Sequence, residues 1–417
     1  VSEAPRAAVV VVGSEILEDG RRDTNGPFIE EALAREGVRT VLRQVVGDDR
    51  EAIAAAIRTA ARRAPIVILS GGLGPTFDDL TREGAADALG LGMERDPGIE
   101  AALRARLKRR GLHPPESIFR MADVLTGAEV MPNAVGSAPG LFLAGPPALA
   151  LLPGVPAEME SILERELIPR LRALHPAAPP ERLILKIAGM YESQVEALLT
   201  PAMERWKDID RTILASPGDV TLILRAGEGK RRLLDGARAD VEAALGDAIY
   251  SDRDEGIESA IARMMLASSL TLATAESCSA GMLGGLITSV PGASAFYLGG
   301  AIAYSDGIKR GWLDVPGDTL DRHGAVSGET AAAMARGVRA RAGSDLALSI
   351  TGVAGPGGGT PAKPVGRVHI ALAAPWGEAA RTLDLPGDRA TIRIRSCRTA
   401  LDLLRLGLLS PAREGRR

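Results

Sequence analysis

The sequence predicts an α/β protein in three parts: a three-layer α/β/α N-terminal domain with a mostly parallel sheet over residues 1–170, a small α/β middle domain over 171–252, and an α/β C-terminal domain over 253–417. Three observations carry this. Apolar runs of strand length alternate with segments of helical period. Glycine-rich turns follow the ends of those runs, where α/β proteins place ligand chemistry. A Pro/Ala-rich stretch, HPAAPPE from His175 to Glu181, reads as a linker, and 417 residues exceed what one compact core holds.

Bulk composition narrows the class. The chain is 46% hydrophobic and 25% charged, which is globular. A net charge of −3 and a pI near 6.0 give no basic field for nucleic acid or an anionic membrane. The apolar runs near Val9 to Val12 and Leu141 to Leu152 are too short or too broken to span a bilayer. Two cysteines make no disulfide framework and four scattered histidines no zinc spacing. A cytoplasmic protein is expected, with no membrane or nucleic-acid partner and a homodimer as the default assembly.

In chain order, Ala7 to Val12 reads as a buried strand and Pro27 to Arg35 as a helix capped by Asn25. A strand at Val38 to Val46, a helix at Arg50 to Arg63 and a strand at Pro65 to Leu69 follow. The last runs into SGGLGPTFDDLT, where Gly71, Gly72 and Gly74 free the backbone and Asp78, Asp79 and Thr81 stand at the next helix's start. A glycine-rich turn into a helix suits phosphate, and paired carboxylates suit a divalent metal bridging phosphates. The same residues also read as a bare turn and a helix cap.

The middle segment reads as a strand at Leu183 to Ile187, a helix at Glu192 to Leu199, a hairpin at Thr212 to Arg225 around Pro217-Gly218, and a helix at Lys230 to Leu245. Its outline resembles RNA-binding KH modules. The Gly189-Met190-Tyr191-Glu192 turn lacks their GxxG clamp, so a spacer or dimerisation role is expected.

Chemistry concentrates between Leu270 and Lys309. A strand at Leu270 to Ala275 breaks at Glu276-Ser277-Cys278-Ser279 into a helix carrying Leu283, Leu286, Ile287 and Val290, stopped by Pro291-Gly292. The helix start, from Ser277 to Gly281, offers backbone N–H groups to an anion such as phosphate or carboxylate, or is simply capped. A strand at Gly299 to Tyr304 sets Tyr304 before a Ser-Asp-Gly turn, with Lys309 five residues on. Only six of the fifty basic residues are Lys, and an amine, unlike a guanidinium, loses its proton on burial. Ser294, in the preceding loop, completes a candidate trio in which Tyr304 and Lys309 activate a serine. Further on, Ser327 is placed to cap an Ala-rich helix, and the strand Asp345 to Ile350 ends in TGVAGPGGGTPAKPVG, where Thr351, Gly352 and Gly355 can wrap a phosphate. Val368, Ile370 and Leu372 alternate in a strand that leaves His369 on the opposite face in a structural role. Gly387 to Arg389 starts a C-terminal helix, with Arg389 placed to hold phosphate.

GSEIL at Gly13 to Leu17, DTN at Asp23 to Asn25, SGGLGPTFDDLT at Ser70 to Thr81 and LLPGVPAEM at Leu151 to Met159 resemble the N-terminal domain of the competence-damage-inducible (CinA) family. TAESCSAG, PGASAF, AYSDGIK, HGAVSGET, TGVAGPGGGTPAKPVG and LPGDR resemble its C-terminal domain. The resemblance implies a molybdopterin-binding-like N-terminal fold with ADP-ribose pyrophosphatase activity. Nucleotide would be held there by Gly13, Ser14, Glu15, Asp23, Asn25, Gly71, Gly72, Gly74 and Thr76, and a divalent metal by Asp78 and Asp79. For the C-terminal domain it implies nicotinamide mononucleotide deamidation with no cofactor. Ser294 would be the nucleophile, Tyr304 and Lys309 its activators, and Glu276, Ser277, Cys278, Ser279, Gly281, Thr351, Gly352, Gly355 and Arg389 the substrate contacts. The chain departs from the family pattern at Ser14, where Thr is usual, and around Pro115 to Ala122, where an Asn-rich segment ending in Lys-Gln-Ala is usual. It departs again at Ser279-Ala280-Gly281, where Thr-Gly-Gly is frequent.

Three other readings stand beside this one. Cys278 at a helix start is a second candidate nucleophile, with His323 or His369 as its base. Both glycine-rich domains could serve to bind nucleotides without turnover. The N-terminal fold could serve molybdopterin transfer.

Overall fold

The computed structural model describes residues 5–109, 111, 115–175, 180–227 and 229–414, so the centre of the HPAAPPE stretch lies outside the described residues. The chain divides into two compact units, Val1–Pro180 and Glu181–Arg417, both of mixed α/β architecture.

The first unit is built on β1 (Arg6–Val12), β2 (Arg39–Val46), β3 (Ile66–Ser70), β4 (Met93–Arg95), β5 (Asp123–Leu125), β6 (Glu129–Met131), β7 (Gly140–Leu143) and β8 (Ala148–Leu152). The main sheet runs β2-β1-β3-β8-β7-β6, parallel from β2 to β8 and antiparallel beyond, while β4 and β5 form a separate ribbon. Both faces are covered. Ala8, Val10, Val67 and Leu69 pack with Ile53 and Ile57 of the helix Arg50–Arg63. Val9, Val11, Ile66 and Ile68 pack with Ile29 and Leu33 of the helix Asn25–Arg35. Burial on two faces explains why these strands are continuous apolar runs. The strand order reverses between the parallel neighbours β1 and β3, which opens a crevice at their carboxyl ends.

The second unit contains two sheets. β9 (Glu181–Ile187), β10 (Asp210–Ser216), β11 (Asp219–Ala226) and β12 (Ile249–Ser251) form an antiparallel sheet in the order β10-β11-β9-β12, with the hairpin turning at Pro217-Gly218 as expected. β13 (Leu272–Glu276), β14 (Tyr297–Ile302), β15 (Leu346–Gly352), β16 (Arg367–Ala374) and β17 (Gly377–Asp384) form the order β14-β13-β15-β16-β17. Strand β13 is parallel to both neighbours; β16 and β17 return antiparallel. One face carries the helices Ile257–Ser268, Met282–Thr288 and Arg389–Glu414. Asp306–Leu313 and Gly328–Ala342 cover the other. The long helix Arg389–Glu414 also grips the first sheet, since Arg398 donates to the Pro217 carbonyl at 2.8 Å and Arg405 to the Asp247 carbonyl at 2.6 Å. The Gly189 to Glu192 turn packs Tyr191 under the Arg395 guanidinium, 5.8 Å from the ring centre.

Two boundary shifts reposition Ser277 and Tyr304. The helix after β13 begins at Met282, because Ala280 (φ 47°) and Gly281 (φ 89°) are left-handed and cannot extend it toward Ser277. Strand β14 ends at Ile302, so Tyr304 lies beyond it, in the turn that Ser305 closes by capping the next helix.

Candidate active site

Parallel pairing delivers β13, β14 and β15 to a common carboxyl end, and Ser277 sits in the notch between the outer two. Its N–H donates to the Ile350 carbonyl at 2.9 Å on one side, while the neighbouring Glu276 carbonyl accepts from the Ala303 N–H at 2.7 Å on the other. Lys309 comes from the first turns of the helix Asp306–Leu313. Side chains in a helix lean toward its N-terminus, so the amine reaches back over the turn it follows. Its Nζ donates to the Ala303 carbonyl at 2.9 Å and to the Tyr304 carbonyl at 3.3 Å, and stands 3.3 Å from Ser277 Oγ. Lys309 is only 1% exposed, and among the described residues its one carboxylate neighbour, Asp306, is 4.0 Å away. Burial lowers its pKa from the ordinary lysine value, against a smaller opposing pull from Asp306.

The helix start expected to receive an anion is occupied by the protein itself. Buried Glu276 accepts from the N–H groups of Gly281 at 3.0 Å, Leu283 at 3.0 Å and Gly284 at 2.9 Å. A carboxylate spent on three orphan donors leaves that helix end no anion site for substrate, which corrects the phosphate expectation there. In the turn above it, the backbone N–H groups of Cys278 and Ser279 have no carbonyl partner among the described residues.

Tyr304, 58% exposed, lies at the mouth with its phenol 3.3 Å from Arg389. Arg389 also donates to the Gly355 carbonyl at 2.7 Å, so one guanidinium spans from the β14 side to the glycine-rich loop after β15. Thr351 is spent internally, since its hydroxyl donates to the Ala325 carbonyl at 2.7 Å. Gly352 packs against β16, where a Cβ would lie 2.7 Å from the Arg367 carbonyl. Sequence reasoning missed Arg393. It stands one helical turn beyond Arg389 and donates to the Ser279 carbonyl at 2.6 Å. The four-residue spacing of the two arginines was the available signal.

Ser294 does not join this group. It lies exposed in the turn Ala293–Ala295 that enters β14, whereas Tyr304 and Lys309 follow that strand. Leu272 pairs with Tyr297 and Glu276 with Ile302, so the full strand, roughly 15 Å or more, separates Ser294 from the notch. The sequence placed Ser294 with its supposed partners because all three bracket one strand; parallel pairing puts them at opposite ends of it. Cys278 is buried, and burial pushes its thiol up to about 11. The two histidines proposed as its base are engaged elsewhere: His369 with Thr382 at 2.9 Å, and His323 facing Glu329 at 3.5 Å.

In the first unit the predicted residues gather at the β1/β3 crevice, largely bonded to one another. The Gly13 N–H donates to the Val46 carbonyl, Ser14 exchanges hydrogen bonds with Asp48, and the Glu15 carboxylate folds beside Gly13. Asn25 is not the cap that was expected. Asp23 takes the Gly26 N–H at 2.8 Å, while Asn25 Nδ2 ties Ser70 Oγ at 2.9 Å to the Gly154 carbonyl at 2.8 Å. Gly71 (φ 113°) must be glycine, because a Cβ would run into the Val12 carbonyl. Gly72 closes on Thr81, whose hydroxyl donates to the Gly71 carbonyl at 2.8 Å. Asp79 accepts from the N–H groups of Gly74 at 2.7 Å and Thr76 at 2.8 Å, and from the Thr76 hydroxyl. A hard divalent metal takes six or more oxygen ligands, and both Asp79 oxygens are turned to the N–H and hydroxyl groups of their own loop. Asp78 is exposed, and among the described residues no three His, Cys, Asp or Glu side chains are placed to hold a metal. The residues present therefore do not fit the metal expected at Asp78 and Asp79. Beside this loop lies a cleft of about 530 Å³ walled by Pro75, Phe77, Pro115, Ile118 and Arg120.

Fold and site together define a two-part α/β protein, with one glycine-loop sheet domain and one domain built around a buried Ser/Lys pair. A family model described as the CinA C-terminal domain matches residues 254–408, and one described as a probable molybdopterin binding domain matches residues 8–173. A CinA-like protein of Koribacter versatilis is 40% identical over 412 residues, covering 97% of this chain and 100% of the relative. One from Frankia casuarinae is 41% identical over 415 residues, covering 96% and 95%. The competence/damage inducible protein CihA of Agrobacterium tumefaciens, a solved structure, is 36% identical over 38% of this chain and 99% of its own, with a TM-score of 0.35. The chain belongs to the CinA family. No helix among the described residues is long and apolar enough to cross a membrane.

Proposed function

We propose that the second unit is an amidohydrolase that deamidates nicotinamide mononucleotide, with Ser277 as nucleophile and Lys309 as its base. The observation that carries this reading is the buried amine 3.3 Å from the serine hydroxyl, without a carboxylate in close contact. Burial lowers the lysine pKa and so favours the neutral amine, which accepts the serine proton in the Lys-for-His variant of serine catalysis. Ser277 Oγ attacks the carboxamide carbon as its proton passes to Lys309 Nζ. Backbone N–H groups beside the small-residue turns would hold the oxyanion. Lys309 then returns the proton to the amide nitrogen, ammonia leaves, and an acyl-serine remains. Water, deprotonated by Lys309, cleaves that ester to the carboxylate and restores the hydroxyl. The net reaction is amide plus water to acid plus ammonia.

Ammonia release from nicotinamide mononucleotide by wild type, Ser277→Ala and Ser294→Ala tests this reading. Activity lost only in Ser277→Ala supports it. Activity lost only in Ser294→Ala, or absent from wild type, sinks it.

For the first unit, the engaged Asp79 favours nucleotide binding in the cleft beside Phe77 over metal-assisted ADP-ribose hydrolysis. Titration calorimetry with ADP-ribose, followed by product analysis in magnesium and in manganese, separates the two. Binding without product supports the binding role, and metal-dependent product overturns it.

A further inference from the structure

The antiparallel sheet β10-β11-β9-β12 has two unlike faces. Leu183, Leu185, Leu222 and Leu224 point into its core. Alternation puts their neighbours on the other face, in rows fixed by the register of β9 and β11: Arg182 beside Arg225, Ile184 beside Ile223, and Lys186 beside Thr221. The cations at the two ends of this face meet different partners. Lys186 is buried, donates to Thr221 Oγ1 at 2.7 Å and lies 3.3 Å from the Asp219 carboxylate. Arg182 and Arg225 stand directly opposite each other, and among the described residues neither has a carboxylate within ion-pair distance. Asp210 ends their row on the far side of Arg225, exposed and outside that distance.

Hydrogen bonding leaves the same two groups short of partners. Arg225 donates to one neutral oxygen, Thr212 Oγ1, at 3.1 Å. The Arg182 side chain makes no hydrogen bond among the described residues, although its Nε is buried. A buried N–H without a partner is costly, and like charges directly opposite in a sheet repel each other. Burial first, and the Arg182 charge second, lower the Arg225 pKa. Directly opposite residues lie about 4.5–5.5 Å apart at Cα, so two guanidiniums rooted there reach a single ligand.

We propose that Arg182 and Arg225 form a binding site for one dianionic phosphate group carried by a small molecule. Two negative charges neutralise the two guanidiniums, and the oxygens of a phosphate match their donor forks, the orphan Nε included. Ile184 and Ile223 supply an apolar wall in the next row. A nucleic-acid strand fits this face poorly. Strands β9, β10 and β11 carry no aromatic residue on which bases could stack, and Lys186, the next cation along, is already neutralised by Asp219. The site lies on a different sheet from Ser277 and stands independently of the amidohydrolase reading.

The test titrates the full chain by calorimetry with inorganic phosphate, adenosine monophosphate, adenosine and a short single-stranded RNA, as wild type, Arg182→Ala, Arg225→Ala and the double variant. Wild type is expected to bind one more equivalent of adenosine monophosphate than the double variant. Each single variant should bind that equivalent about 10- to 100-fold more weakly, the range of a lost charge-assisted contact. Adenosine should not distinguish the four proteins, and inorganic phosphate shows whether the nucleoside adds anything to the phosphate. Ammonia release from nicotinamide mononucleotide should be unchanged in all of them. Thermal melts separate binding from packing. Without ligand, Arg182→Ala should keep or raise the Tm, because it relieves the repulsion, and phosphate should raise the Tm of wild type more than that of the variant. Arg182→Gln, closer in size, repeats the comparison if the alanine variant does not fold. Identical isotherms for wild type and the double variant overturn the proposal. RNA bound more than about tenfold tighter than adenosine monophosphate, and lost in the double variant, overturns it in favour of a nucleic-acid surface.

Discussion

Lys309 Nζ stands 3.3 Å from Ser277 Oγ in a pocket that leaves the amine 1% exposed. The two residues are 32 positions apart in the chain, and the pairing of β13 with β14 brings them together. Removing either hydroxyl or amine should remove the chemistry. We expect Ser277→Ala to lower ammonia release by roughly a thousandfold or more, the scale of a lost serine nucleophile. Ser294→Ala should stay within about twofold, as exposed positions away from a site do. A drop in Ser294→Ala alone would reverse the assignment.

The pH profile follows from the direction of the Lys309 shift. Burial puts its folded-state pKa below the ordinary lysine value, and the reaction needs the neutral amine. The rate kcat/KM should therefore rise with pH through that lowered pKa and level above it. Stability has the same sign. Between the folded and unfolded pKa values the unfolded chain holds the extra proton, so stability also rises with pH across that window. Lys309→Arg keeps a charge that does not titrate and should abolish both the activity and its alkaline rise; an unchanged profile in that variant would remove Lys309 from the mechanism.

Cys278 should behave as an inert core residue. With its thiol pushed up to about 11, almost none is thiolate at neutral pH. Cys278→Ser is expected to keep the rate within about threefold. Iodoacetamide should leave the folded protein unalkylated at this position when followed by mass spectrometry. Rapid alkylation accompanied by inactivation would restore the thiol as a nucleophile.

Glu276 holds the turn that presents Ser277. Glu276→Ala strips the acceptor from three N–H groups and should cost about 2–3 kcal/mol of stability, read as a lower Tm. Ala280→Gly acts in the opposite direction. At φ 47° an alanine carries left-handed strain, so glycine should gain up to about 1 kcal/mol. A Tm that falls in Ala280→Gly would show that the Ala280 methyl contributes more than its strain costs.

Gly71→Ala probes the first unit. Its φ of 113° and the adjacent Val12 carbonyl both reject a Cβ, so the substitution should cost more than about 2 kcal/mol or prevent folding of that unit. Limited proteolysis against wild type reads this directly; equal resistance would mean that the loop has room the structure does not show.

Elements with a local signal were legible from the order of residues alone. Both-face burial made β1 and β3 continuous apolar runs, Pro217-Gly218 turned the hairpin, Ser327 capped its helix, and alternation placed Val368, Ile370 and Leu372 inward with His369 opposite. Residue order also marked Lys309 as a rare amine beside small residues, and Ser277 as part of the same stretch. Which of these groups meet depends instead on how distant strands pair. Ser294 and Tyr304 bracket β14 closely in sequence, but a strand carries its two ends apart, while parallel pairing aligns the carboxyl ends of β13, β14 and β15 and so joins Ser277 to Lys309. Side-chain direction was equally hidden. Glu276 and Asp79 each read as groups free for a ligand, and each turned to the backbone N–H groups of its own loop, where several converging charge-assisted hydrogen bonds replace the water the carboxylate gives up.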